Sequence, residues 1–155
     1  MKKFLIYLLL LLPFATFAQE GKPVREEVKL LVKQMGGKGI VYGKFVGFAG
    51  TTPNEFKAFQ QFVKIADKEE IMVYLDDEDP SLRAYAFWAM AVRYPKEVRS
   101  IYKELGSDEA EIQTMMGGCI IHTDEVGSFR SSILKSPMAD LFKEESILKL
   151  PGSNF

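Results

Sequence analysis

The sequence predicts an all-α fold, a short right-handed superhelix of stacked helix pairs entered through an atypical glycine-rich segment. Three observations predict it. Apolar residues recur at helical spacing along most of the chain, and helix-start chemistry precedes most of those windows. The starts also repeat at a fixed pitch: Asp67 and Pro95 lie 28 residues apart, as do Asp79 and Ser107. At 155 residues the chain has room for one such domain.

From Pro23 onward, Val24, Val28, Leu31, Val32 and Met35 fall on one helical face, with Arg25, Glu26, Glu27, Lys29 and Lys33 opposite and Gly36-Gly37 as the stop. Thr52-Pro53-Asn54-Glu55 reads as a capping box for a second helix carrying Phe56, Phe59, Val63 and Ala66. Asp67 and Glu70 repeat the cap for a short helix through Ile71, Met72 and Leu75. Asp79-Pro80 opens a helix to Arg93 that is apolar nearly all round and should be buried on most sides. Pro95 starts another, with Val98, Ile101, Tyr102 and Leu105 on its face and Gly106 as its end. Ser107, followed by Asp108 and Glu109, predicts a further helix with Ile112, Met115, Met116 and Cys119 on one face. Ser136-Pro137 predicts a last one with Met138, Leu141 and Phe142, and residues 151–155 read as a loose tail.

Residues 36–50 break the pattern. Gly39, Gly43 and Gly47 stand four apart, which suits either a smooth helical groove or an extended connector docked by its aromatics. Trp88 and Tyr42, Phe45, Phe48, Phe56, Phe59 and Phe62 are expected in the core, the usual place for aromatics at such spacing.

Residues 1–18 read as a secretory signal. Lys2 and Lys3 precede an apolar run closed by Pro13, and Thr16-Phe17-Ala18 places small residues at −3 and −1 of a cleavage after Ala18. The run is too short for a membrane span, and Ala18-Gln19 resembles a cleavage signature frequent in exported bacterial proteins. Cleavage would leave one domain over residues 19–150, periplasmic or secreted, and losing the two lysines moves the net charge from −1 to −3. That balance argues against a nucleic-acid partner, and no later stretch is long and apolar enough to span a membrane.

Tyr74-Leu75-Asp76-Asp77-Glu78-Asp79-Pro80-Ser81-Leu82-Arg83-Ala84-Tyr85-Ala86-Phe87-Trp88-Ala89 resembles the turn and second helix of a HEAT repeat, and the resemblance covers residues 71–93. It implies that Arg83 pairs with Asp76, Asp77 or Asp79 in the turn. It also implies a helical scaffold that binds protein. Independently of it, acidic groups before a helix N-terminus suit the helix dipole and an arginine in the first turn.

The sequence offers little for catalysis. His122 is the one histidine and Cys119 the one cysteine, and there is no Gly-x-Ser-x-Gly elbow, phosphate loop or dinucleotide fingerprint. Cys119 and His122 share a face if helical, as a thiolate pair would, but they also continue an apolar core stripe. Met115, Cys119 and His122 on one helical face would suit Cu(I), so a periplasmic copper-binding protein is the alternative reading. The expected function is non-catalytic and without a cofactor: an exported helical-repeat protein, of scaffold or inhibitor type, that binds a protein or peptide. Tyr85, Arg93 and Tyr94 flank the repeat helix and are its expected contact residues.

Overall fold

The computed structural model describes residues 23–142. The signal segment and the tail of the sequence reading lie outside the described residues. Among those described, six α-helices and three β-strands follow in the order α1 (Glu26–Met35), β1 (Ile40–Tyr42), α2 (Asn54–Ile65), α3 (Lys68–Val73), α4 (Pro80–Arg93), α5 (Val98–Leu105), β2 (Glu111–Met115), β3 (His122–Glu125) and α6 (Val126–Lys135). The all-α superhelix is therefore incorrect, and the domain is mixed α/β. The sheet has the order β1-β2-β3, with β1 parallel to β2 and β2 antiparallel to β3.

The overturned prediction is local. Ile112, Met115, Met116 and Cys119 do fit a helical period, but Glu111-Ile112-Gln113-Thr114 also alternates, and alternation prevails. Ile112 and Thr114 are buried while Glu111 and Gln113 are exposed. Gly118, at φ 62°, lies in the connection that turns the chain back into β3.

Most of the helical reading holds. In α1, Val28, Val32 and Met35 are buried. The Asp67–Glu70 capping box of α3 is fully formed, with Glu70 N donating to Asp67 Oδ1 and Asp67 N to Glu70 Oε2, both at 3.0 Å. The box at Thr52 is not formed: α2 begins at Asn54 with Pro53 as N-cap, and Glu55 instead binds Lys38. Helix α4 carries the core on nearly every side, as Ala84 through Ala91 are all buried. Against its Trp88 pack Phe56, Phe59 and Phe142, the last with its ring 5.3 Å from Phe59 and 5.7 Å from Trp88, both edge-on. Helix α6 was not anticipated; it buries Val126, Phe129, Arg130 and Ile133.

Two charged clusters fasten the elements. Arg25 donates from Nε to Glu70 Oε1 at 2.9 Å and from Nη2 to Oε2 at 2.7 Å, tying the start of α1 to α3. These bonds hold the buried Glu70 carboxyl down at about 2. The other cluster centres on Asp108. Arg83 grips it with two bonds of 2.9 Å, and Arg130 Nη2 lies 3.3 Å from Oδ2. The Arg83 bonds, foremost, lower the Asp108 pKa, whereas burial lowers that of Arg130. Arg130 Nη2 also donates to Leu75 O at 3.2 Å, while its buried Nε has no hydrogen-bond partner.

Candidate interaction site

The glycine-rich segment is a connector containing a strand, not a helix. Gly37 N donates to Asp79 Oδ2 at 2.7 Å, which leads the chain past the N-terminus of α4 into β1. Gly43 then follows β1 so closely along β2 that an added Cβ would lie 2.2 Å from Met116 O. Only a residue without a side chain fits there.

Beyond Gly43 the chain makes a tight loop. Val46 and Thr51 exchange two backbone bonds of 3.0 Å, and Val46 is buried beneath them. This loop is stitched to the β2–β3 connection, residues 116–121: Gly47 N donates to Gly118 O at 2.6 Å and Gly118 N to Phe45 O at 3.2 Å. Within three residues of these bonds, four large apolar side chains face solvent. Their exposures are 49% for Phe45, 101% for Phe48, 64% for Ile120 and 51% for Ile121. Two loops far apart in sequence thus present one apolar edge, held by backbone hydrogen bonds.

Phe45 and Phe48 are the exceptions to the expected aromatic core, which does take in Phe56, Phe59, Phe62 and Trp88. Spacing gave no signal for the edge: Phe45 lies three and Val46 two residues before Phe48, and Met116 lies four before Ile120, so each fits a core period.

The residues expected to contact a partner do not share a surface. Tyr85 is fully buried, and its Oη accepts Tyr42 N–H at 2.7 Å, joining α4 to β1; burial pushes its phenol up. Arg93 is exposed but its guanidinium is spent on the end of α2, donating to Val63 O and to Ala66 O at 3.2 Å. Tyr94 is half-buried, with Arg93 5.6 Å above its ring.

In the turn before α4, Arg83 Nη1 donates to the backbone carbonyl of Asp77 at 2.8 Å. Its carboxylate partner is Asp108, not Asp76, Asp77 or Asp79. Asp79 is occupied as the N-cap, accepting Ser81 N at 2.8 Å, and Asp77 Oδ1 accepts Asp79 N at 2.9 Å.

The copper reading loses its geometric premise. Met115 ends β2, Cys119 is exposed in the connection, and His122 opens β3 opposite Thr114. Directly paired residues share a face of the sheet, and neighbours along a strand alternate, so His122 and Met115 point to opposite faces. Among the described residues no group of three or more His, Cys, Asp or Glu side chains converges as a metal site would require. No helix of the described residues is long and apolar enough to cross a membrane.

A groove of about 910 Å³ opens beside the edge, and Phe45 belongs to its wall. The described residues that line it include Lys44, Gln60, Gln61, Lys64 and Arg93. No family model matches the chain, and neither any curated protein nor any solved structure matches it.

Proposed function

We propose that this chain is a non-catalytic, exported binding module of scaffold or inhibitor type, and that it meets its protein partner through the edge formed by Phe45, Phe48, Ile120 and Ile121. The observation that carries this reading is the exposure of those four side chains on loops that backbone bonds hold rigid. Burying a Phe or Ile side chain against a partner is worth about 1.5–3 kcal/mol, and a preformed edge has little ordering entropy to lose. Export rests on the leader-like residues 1–18.

Photo-cross-linking in the producing cell tests it. A benzoylphenylalanine at position 48 or 120 is expected to give one discrete adduct, and the same group at Lys103, on the exposed face of α5, none. Loss of the adduct on Ile121→Asp would tie it to the edge. Absence of any adduct, or equal labelling from position 103, would overturn the reading.

A further inference from the structure

Strand β3 forms one margin of the sheet, and among the described residues no strand pairs with its outer side. The ladder shows which backbone groups face that side. Gln113 N donates to Gly39 O at 2.8 Å, so Gln113 turns its polar backbone toward β1. Ile112 and Thr114 therefore turn theirs toward β3, where they pair with Asp124 and His122. Thr123 and Glu125, opposite Gln113 and Glu111, are left with N–H and C=O directed outward. The exposed Ile120 and Ile121 immediately precede this strand, so the apolar edge runs straight into an open row of donors and acceptors.

The charge on this margin selects among occupants. Glu111 and Glu125 stand directly opposite each other, and both are exposed. Like charges so placed destabilise a sheet, and a cation brought alongside relieves them. Asp124 adds a third carboxylate, with one oxygen accepting from Thr114 Oγ1 at 2.8 Å. A second copy of the chain would bring an equally acidic margin alongside, and charge of this kind is a device by which edge strands avoid pairing with themselves. An extended segment with basic residues at one end and β-branched residues at the other matches both the carboxylates and the apolar end.

We infer that the protein partner adds such an extended segment to β3 as a further strand, antiparallel because that pairing is the more stable per residue. Its backbone bonds to Thr123 and Glu125, its basic side chains lie beside Glu111, Asp124 and Glu125, and its β-branched side chains meet Ile121. The inference deepens the proposed function and rests on it for the site, since Ile120 and Ile121 belong to both. Backbone bonds hold any extended chain alike, so the carboxylates are what choose the sequence.

The test titrates an acetylated Lys-Lys-Thr-Thr-Val-Val peptide into the isotope-labelled full chain and follows amide exchange by NMR. Slowed exchange is expected at Thr123 and Glu125, with His122 and Asp124, already bonded to β2, unchanged. Glutamates in place of both lysines should weaken binding about tenfold, and Glu111→Lys with Glu125→Lys should reverse that preference. N-methylation of one alternate set of peptide residues should abolish binding, and of the other set leave it intact, because only one set faces β3. No protection, binding indifferent to the lysines or to the N-methyl register, or protection that rises with protein concentration alone, as pairing of two copies would give, overturns the inference. The cross-links from positions 48 and 120 keep the two readings apart. If they persist when the peptide fails, the added strand alone is overturned; if they are absent while the peptide protects both amides, the strand site is upheld and the proposed apolar contact falls.

Discussion

Asp108→Asn keeps the shape of the side chain at the junction of α4, α6 and the entry to β2, and removes its charge. Arg83, Asp108 and Arg130 retain 15%, 12% and 2% of their side-chain exposure, so solvent screens the triad little. At an effective dielectric of about 20, unit charges about 4 Å apart attract by ~4 kcal/mol. The substitution removes that attraction for two guanidiniums and leaves them facing each other. It also relieves the desolvation of the carboxylate, which offsets part of the loss. The expected cost is about 3 kcal/mol, a large share of the ~5–15 kcal/mol that stabilises a domain. Urea unfolding at pH 7 reads it as a lower midpoint at unchanged slope. Arg130→Met is expected to cost only about 1 kcal/mol, because Asp108 keeps both bonds to Arg83 while the orphaned buried Nε disappears. The two substitutions together should cost less than their sum by roughly 1–2 kcal/mol. Strict additivity, or an Asp108→Asn effect below about 0.5 kcal/mol, would refute the idea that one buried anion balances both cations.

Three further outcomes are expected. Glu70 has its pKa depressed to about 2, so its contribution is complete above the unfolded value of about 4.3 and is lost as pH falls through 2. Glu70→Gln should therefore lower the urea midpoint at pH 7, with the gap to wild type closing between about pH 4.5 and 2; a gap constant over that range would contradict the assignment. Gly43→Ala forces a methyl onto Met116 O and should destabilise by about 2 kcal/mol in thermal melts, a loss that Gly37→Asn, with an open site and φ 81°, should not match. Phe48→Ser should leave the melting temperature within about 2 °C of wild type, because the side chain packs on nothing, while abolishing the cross-link from position 120.

What could be read from the sequence was what short-range chemistry decides. The caps at Asp67 and Asp79, the stop at Gly106 and the all-round apolar α4 each depend on residues within a few positions of one another. The sheet was missed because its strands span only three to five residues, and Ile112 to Cys119 satisfied two periodicities at once. Helix α6 was missed because a charged residue occupies a core position. Arg130 is tolerated there by Asp108, and nothing local announces a partner 22 positions earlier. The same holds for Glu55, whose partner Lys38 lies 17 positions earlier, before β1, so that a sequence with capping-box chemistry made an ion pair instead. The candidate site was legible only in part. Its glycines were singled out, but the mating of the two loops follows from the parallel pairing of β1 with β2.

That pairing joins Ile40 to Gln113 across 73 residues, with four helices in the crossover. Contacts so distant close a long loop before they return any stabilisation, and they form late relative to the helical contacts of α1 through α4. The apolar edge therefore does not exist on a nascent or half-folded chain. It is assembled only when the last third of the sequence has arrived and the hairpin has docked. A partner that recognises both loops together would thus select finished molecules, and completion of folding would itself switch on binding.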